Sequence, residues 1–370
     1  MQNKLKLMTI VGTRPEIIRL SRVIKECGKC FEHVLVHTGQ NYDYSLSEIF
    51  FKQLHLSSPD YFLSCVSGNL GETLGSIISK SYEVMLKEKP DAVLILGDTN
   101  SALSAISAKR LKIPIFHMEA GNRCFDENVP EEINRKIVDH ISEVNLPYTE
   151  HSRRHLLDEG IDKKHVFVTG SPMPEVLSHY SKSIDKSDVL ERMGLSKNHY
   201  FVLSVHREEN VDNAENFLGI METVNSIAED YKLPIVFSTH PRTSKWLTKL
   251  DVRLHPFVKN LEPLGFMDYN KLQKESLCVL SDSGTLSEES AIMNFNGVLL
   301  RTSTERPEVL DKGRIIIGGI KKSGIIQAID LALLMADNDQ IALPTDYYDM
   351  NVSQKVIKII QSYVNILRKS

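Results

Sequence analysis

The sequence lacks an excess of basic charge and any long apolar run. Its formal net charge is −4 and its pI is about 6.4, so no positive field exists for binding a nucleic-acid backbone. No stretch approaches the roughly 18 consecutive apolar residues of a membrane span, and the start, MQNKLKLMTIVG, has no apolar signal-peptide core. We therefore expect a cytoplasmic protein with no nucleic-acid or membrane partner.

A disulfide framework and a dinucleotide-binding motif are missing as well. The chain has five cysteines, an odd number that argues against paired secretory cysteines. Cys27 and Cys30 form a CxxC without a second pair at zinc spacing, so we expect two reduced thiols at a helix end, with metal or redox use as the alternative. No GxGxxG follows the first strand, which disfavours NAD. We expect neither a cofactor nor a metal.

What the sequence does contain is an alternation of strand-like and helix-like segments, which is typical of an α/β protein. Short apolar runs such as KLKLMTIVG, HVLVHTG, AVLILG and IPIFHME alternate with amphipathic stretches and are apolar on both faces, as buried parallel strands are. The rhythm restarts near residue 170 with HYFVLSVH, LPIVFSTH, LCVLSDSG and NGVLL. The final VSQKVIKIIQSYVNILRK is typical of a long amphipathic helix.

A chain of 370 residues also exceeds the size of a single hydrophobic core. The sequence therefore predicts two Rossmann-like domains whose parallel sheets face a central cleft. We assign residues 1–168 plus 353–370 to the first domain, with a returning C-terminal helix, and residues 169–352 to the second.

Polar residues follow the strands of the first half, where ligands gather in open α/β sheets. Arg14 follows the first strand in Gly12-Thr13-Arg14-Pro15-Glu16 and lies at a helix start that suits an anion, although an ordinary turn with an exposed arginine remains an alternative. Three carboxylates, Asp98, Glu119 and Glu131, come from neighbouring loops. Capping of the next helix is the alternative for Asp98. Convergent carboxylates suit general acid-base chemistry.

The second half carries a second set of polar strand ends. His206 follows LSV, and His240 and Arg242 follow LPIVFST. Ser283, Gly284 and Thr285 open a helix whose backbone N–H groups suit a diphosphate, with a carboxylate one turn later for ribose hydroxyls. An N-capped helix with a capping-box glutamate remains the alternative here.

Seven segments together resemble the non-hydrolysing UDP-N-acetylglucosamine 2-epimerase family. They run in order over almost the whole chain: GTRPEIIRL, TGQNYD, LGDTNS, HMEAGNRCFDENVPEEINRKIVDH, SVHREEN, SDSGTLSEES and TERPE. The resemblance implies a fold of the GT-B kind, a UDP-sugar substrate, no cofactor and a homodimer.

The resemblance also implies residue roles. Asp98, Glu119 and Glu131 match acidic residues of proton transfer at C2 of the sugar, and His206 matches a histidine near the leaving diphosphate. Substrate contacts are expected at ten further positions, with Glu289 at the ribose: Arg14, Arg19, Arg135, His240, Arg242, Ser283, Gly284, Thr285, Glu289 and Arg306.

Three departures from the family pattern matter. Arg19 stands where many members have a lysine, the DSGG loop is Asp282-Ser283-Gly284-Thr285, and the GQH stretch of an activating nucleotide site is Gln40-Asn41-Tyr42-Asp43. The last change argues against activation by a second nucleotide.

EAGNRCFD, TEHSRR and GSPMPEVL resemble a branch that makes UDP-N-acetyl-L-fucosamine from UDP-2-acetamido-2,6-dideoxy-L-talose for capsule or O-antigen. Other hypotheses remain: epimerisation of UDP-N-acetylglucosamine to UDP-N-acetylmannosamine or of a 2-acetamido uronic acid, hydrolysis of the UDP-sugar, a GT-B glycosyltransferase, and a non-catalytic binding protein. Only the glycosyltransferase needs an acceptor.

Overall fold

The structure, a computed structural model, describes residues 4–39, 44–127, 129–336 and 342–367. The chain forms two compact units, Met1–Ser178 with Asp346–Ser370 and His179–Thr345. In the described parts, no helix is long and apolar enough to cross a membrane.

The first unit is built on a six-stranded parallel sheet in the order β3-β2-β1-β4-β5-β6. Its central strands are buried apolar runs, because helices cover both faces of a parallel sheet. The strands are β1 Lys6–Val11, β2 Glu32–His37, β3 Tyr61–Phe62, β4 Ala92–Leu96, β5 Ile115–Met118 and β6 Val144–Leu146. The helices are α1 Arg14–Cys30, α2 Tyr44–Gln53, α3 Leu70–Glu88, α4 Ser104–Arg110, α5 Pro130–Ile141 and α6 Glu150–Asp158, and the first unit ends within α7 Met173–Asp185.

The second unit repeats this plan with a parallel sheet in the order β12-β11-β10-β7-β8-β9. The strands are β7 Phe201–Ser204, β8 Ile235–Ser238, β9 Val258–Leu261, β10 Cys278–Ser281, β11 Gly297–Leu299 and β12 Ile315–Ile317. The helices are α8 Val189–Met193, α9 Glu208–Val211, α10 Ala214–Tyr231, α11 Pro241–Lys249, α12 Phe266–Glu275, α13 Thr285–Met293, α14 Glu308–Asp311 and α15 Lys322–Leu334.

The last helix, α16 Val352–Leu367, belongs to the first unit and packs on α1. Its apolar side is buried through Val356, Ile360 and Val364. At its start, Ser353 donates from its backbone N–H to Glu175 Oε2 of α7 at 2.9 Å.

Strand order locates the functional edge of each unit. In the first sheet β2 and β3 lie on one side of β1, and the chain then crosses to place β4 on the other side. In the second sheet β8 and β9 lie on one side of β7, and β10 lies on the other. Such a reversal opens a crevice at the carboxyl ends of the two strands, and ligands of α/β sheets bind there. Of the polar residues predicted from the sequence, Arg14, Asp98, His206 and Ser283 follow these strands. Glu119 and His240 follow the neighbouring strands β5 and β8.

Candidate active site

Arg14 begins α1 directly after the turn that follows β1. Glu16 shapes this turn by accepting hydrogen bonds from the backbone N–H groups of Gly12 and Thr13 at 2.9 and 2.7 Å. Its other oxygen accepts from Thr99 Oγ1 in the turn after β4, at 3.1 Å. Burial raises the pKa of Glu16 to about 7, although these bonds favour the charged form. The buried carboxyl group thus ties the two turns of the crevice together.

Asp98 lies in the turn after β4 and is paired with an arginine. Arg135 Nε donates to Asp98 Oδ2 at 2.9 Å, and Arg135 Nη1 donates to Glu132 Oε2 at 2.8 Å. The following 3-10 helix begins at Asn100 without a side-chain cap from Thr99. The side chain of Asp98 therefore accepts from α5, and Arg135, predicted as a substrate contact, holds it in place.

Glu119 follows β5 in a strained conformation, with φ of +65°, a region that non-glycine residues rarely adopt. Its side chain is buried and forms an ion pair with Arg19 Nη1 of α1, while Asn122 Nδ2 donates to its other oxygen at 3.2 Å. A methyl group built on Gly97 would lie 3.3 Å from Glu119 Oε2. Glu119 therefore lies over the backbone that carries Asp98.

Glu131 and Glu132 open α5 in different environments. Glu132 is fully buried and accepts from the backbone N–H of Cys124 at 3.1 Å as well as from Arg135. Glu131, the predicted acid-base residue, is partly exposed in the first helical turn. Glu132 was not singled out from the sequence, since the adjacent glutamates of PEEINR do not reveal which one faces the core.

In the second unit, Asp282 and His206 form a pair after β10 and β7. Asp282 is completely buried, and its carboxylate accepts from the backbone N–H groups of His206 and Arg207 and from Asn210 Nδ2, at 2.9 to 3.1 Å. His206 Nδ1 lies 3.1 Å from Asp282 Oδ1. Burial raises the pKa of Asp282, but His206 and the hydrogen bonds outweigh it, so the net pKa is lowered. A carboxylate on Nδ1 fixes the ring and presents Nε2 to a ligand.

The loop Ser283-Gly284-Thr285 leads into α13 and rests on a buried charged layer. A Cβ on Gly284 would collide with Glu305 Oε1, and Glu305 in turn accepts from Arg301 Nη1 at 2.7 Å. Arg306 Nε donates to the Gly284 carbonyl at 3.3 Å. Arg301 and Glu305 were not predicted from the sequence, whereas Arg306 was predicted as a substrate contact and holds the loop.

The two glutamates of α13 have different partners. Glu288 is buried 3.1 Å from Arg306 Nη2, so it binds an arginine rather than forming a capping box. Glu289, predicted at the ribose, is buried with 7% exposure and accepts from Gln273 Nε2 of α12 at 2.8 Å.

His240 and Arg242 follow β8, next to β7 in the sheet. The rings of His240 and His206 are 5.8 Å apart, so the structure brings the two histidines together. Arg242 donates to Glu208 Oε1 at 2.7 Å on the surface.

Two further predictions concern ligands. Gln40, Asn41, Tyr42 and Asp43, on which the argument against a second nucleotide site depends, lie outside the described residues. Within the described ranges, no group of three or more His, Cys, Asp or Glu side chains is placed to hold a metal ion.

Comparison with known proteins identifies the family. The sequence profile of the UDP-N-acetylglucosamine 2-epimerase family matches residues 25–361. UDP-2,3-diacetamido-2,3-dideoxy-D-glucuronate 2-epimerase of Pseudomonas aeruginosa is 33% identical, over 89% of this chain and 92% of that protein.

Two solved structures agree with this result. UDP-N-acetylglucosamine 2-epimerase from Rickettsia bellii is 45% identical with a TM-score of 0.91, covering 100% of this chain and 99% of that one. UDP-GlcNAc 2-epimerase of Methanocaldococcus jannaschii, in complex with UDP-GlcNAc and UDP, is 36% identical with a TM-score of 0.91, covering 97% and 100%. The predicted family and the two Rossmann-like domains of the GT-B kind are confirmed. The chain therefore belongs to the UDP-N-acetylglucosamine 2-epimerase family and is an isomerase, a UDP-sugar 2-epimerase.

Proposed function

We propose that this enzyme inverts C2 of UDP-2-acetamido-2,6-dideoxy-L-talose to give UDP-N-acetyl-L-fucosamine, an activated sugar for capsule or O-antigen synthesis. The observation that carries the chemistry is the placement of Glu119 beside Gly97, the residue that precedes Asp98 at the crevice of the first sheet. The segment EAGNRCFD, which begins at Glu119, supports the choice of sugar because it resembles the branch that acts on this substrate.

The reaction begins with an elimination. A carboxylate of the first unit removes the proton from C2, the C1–O bond breaks, a C1–C2 double bond forms, and UDP leaves with the electron pair. Departure of UDP gives C1 oxocarbenium character and makes the C2 proton acidic enough for a carboxylate. The products are UDP and a 2-acetamidoglycal.

In the second half of the reaction, UDP adds back to C1 of the glycal while a proton is delivered to the opposite face of C2. This requires two acid-base groups on opposite faces of the sugar, and Asp98, Glu119 and Glu131 supply the candidates. The ion pairs of Glu119 with Arg19 and of Asp98 with Arg135 keep these carboxylates in place.

We assign the diphosphate to the second unit. The N-terminus of α13, the hydroxyls of Ser283 and Thr285 and the ring of His206 provide donors where negative charge grows as the C1–O bond breaks. Asp282 orients His206 for this role. Glu289, held by Gln273, is assigned to the ribose hydroxyls.

UDP-N-acetylglucosamine is the second candidate substrate. The names of the relatives from Rickettsia bellii and Methanocaldococcus jannaschii favour it. The two substrates differ in sugar configuration and at C6, so one experiment separates them.

The test is proton NMR of the purified protein in D2O with each UDP-sugar alone, without NAD, metal or acceptor. We expect deuterium to enter C2 of the L-talose sugar as UDP-N-acetyl-L-fucosamine appears. Exchange with UDP-N-acetylglucosamine only would replace the proposed substrate. Free acetamidosugar would indicate hydrolysis, and exchange with neither sugar would contradict the proposal.

We also propose that the chain works as a homodimer, as the family resemblance implies. Light scattering of the purified protein checks this, and a monomeric mass would contradict it.

A further inference from the structure

Beneath the turns that carry Asp98 and Glu119 lies a group of buried charged side chains, His117, Asp139, Arg123 and Glu159. The side chains of His117, Asp139 and Arg123 have no exposed surface, whereas that of Glu159 is 27% exposed. Desolvating this many charges is costly unless each is paired. We call these four residues the buried quartet.

His117 is bonded through both ring nitrogens. Nδ1 lies 2.8 Å from Asp139 Oδ1, and Nε2 lies 2.8 Å from the carbonyl oxygen of Gly97. A carbonyl oxygen has no proton to give, and an ionised carboxylate is also only an acceptor. Both ring nitrogens must therefore donate, which makes His117 a buried imidazolium.

The charges of the buried quartet balance when His117 is a cation. Arg123 Nη1 donates to Asp139 Oδ2 at 2.8 Å, and Arg123 Nε donates to Glu159 Oε1 at 2.7 Å. Two cations then face two anions. Burial raises the pKa of Asp139, but its contacts with His117 and Arg123 outweigh that effect and leave the pKa lowered, so Asp139 is ionised. His140, on the exposed rim, lies 4.0 Å from Glu159.

The buried quartet holds the backbone on both sides of Glu119. His117 binds the Gly97 carbonyl, next to Asp98, and Asp139 accepts from the Gly121 N–H at 3.1 Å. Gly97, Glu119 and Gly121 have φ of +72°, +65° and +77°. The two glycines adopt such angles freely, whereas Glu119 does so only where the surroundings fix its backbone.

We propose that His117, Asp139 and Arg123 are positioning residues of the epimerase: a doubly protonated His117, locked by Asp139, fixes the turns that present Asp98 and Glu119. This inference rests on the proposed function for its effect on turnover. Its statement about the protonation of His117 is independent of any substrate.

The first measurement is nitrogen NMR of the enzyme with isotope-labelled histidine, in which ring nitrogens with and without a proton have different shifts. We expect one ring whose two nitrogens are both protonated and hydrogen-bonded, with signals that are absent from the His117→Gln spectrum. His140→Gln is the matched control, because His140 is an exposed histidine at the rim of the quartet. A neutral His117 ring at pH 7 would overturn the proposal, whether or not either UDP-sugar is turned over.

The second measurement is steady-state kinetics of Asp139→Asn, which keeps size but removes the anion. We expect kcat to fall about 100-fold, the scale of a small misplacement of catalytic groups. KM stays close to that of the wild type, since UDP is assigned to the second unit. His140→Gln leaves both constants unchanged. Equal kcat in Asp139→Asn and wild type would overturn the positioning role.

If Asp139→Asn does not fold, Arg123→Lys takes its place. It keeps the positive charge but cannot reach both Asp139 and Glu159 with a planar fork. A lower kcat at normal KM supports positioning, and unchanged kcat overturns it.

Discussion

The two units have the same strand order: the chain adds strands to one side of the first strand and then crosses to the other side. In both units the candidate polar residues lie at the strand ends around this crossing. The first unit places carboxylates there, each next to an arginine: Glu119 with Arg19 and Asp98 with Arg135. The second unit places a helix start and two histidines there. The same strand order thus places the carboxylates proposed for proton transfer in one unit and the groups proposed to bind the diphosphate in the other.

The largest effects are expected from two substitutions that test the proton-transfer role of the first unit and the diphosphate-binding role of the second. Glu119→Gln removes the proposed proton acceptor and His206→Ala removes the proposed donor to the leaving diphosphate. We therefore expect each substitution to abolish epimerisation, with a rate at least about 100-fold below that of the wild type. Calorimetry with UDP then distinguishes the units: UDP affinity is retained in Glu119→Gln and reduced in His206→Ala. Circular dichroism checks that both variants keep the fold. Near-normal turnover in either one would contradict the assigned site.

A smaller effect is expected from the loop of the second unit. In Gly284→Ala the new methyl group meets Glu305, which Arg301 holds, so the loop shifts. Overpacking typically costs about 1–3 kcal/mol, and UDP binding weakens about tenfold.

Gly219→Ala is the matched control within the same unit. Gly219 lies in α10, and an added Cβ would meet nothing within 4 Å. We expect unchanged UDP affinity and a gain of about 0.5–1 kcal/mol in the free energy of unfolding. Unchanged UDP affinity in Gly284→Ala would show that the loop does not contact the diphosphate.

The smallest effect concerns stability at acidic pH. The pKa of Asp282 in the folded protein is below the ordinary value of 3.8, because His206 and several hydrogen bonds outweigh burial. A carboxylate with a lowered pKa stabilises the fold above its unfolded pKa, and this contribution is lost as the pH falls through the folded pKa. In urea unfolding, the stability gap between wild type and Asp282→Asn therefore shrinks below pH 3.8. A stability difference that does not change with pH would contradict the pairing of Asp282 with His206.

The sequence predicted the inner strands but not the outer ones. Runs such as AVLILG are apolar on both faces, and they form central strands of the two sheets. The strands that escaped prediction are β3, β6, β9 and β12, the four edges of the two sheets. They are two to four residues long. So short an edge strand carries little hydrophobic pattern.

The candidate site was predictable where a polar residue follows a strand within two residues. Asp98, Glu119, His206 and Ser283 all have this position, because strand ends point to the crevice. Side chains that support them from a distance were missed. Asp139 lies 22 residues after His117, and Glu305 lies 21 residues after Gly284. Only the fold brings such partners together.

The limits of the compact units are also difficult to predict. The first unit gives way to the second after Ser178, inside the continuous helix α7. A helix interior has no glycine or proline signal to mark such a change.

The left-handed backbone of Glu119 has a consequence for how this protein responds to selection. A glutamate at this position is strained, whereas glycine or asparagine adopts the same φ with little cost. Either residue would also take the carboxylate away from the buried Arg19, and breaking a buried ion pair costs more than the backbone strain that is released. The strain can therefore be released only when positions 19 and 119 change together, and a library screened for heat resistance that varies both would discard the proposed acid-base group, so such a screen has to be coupled to turnover.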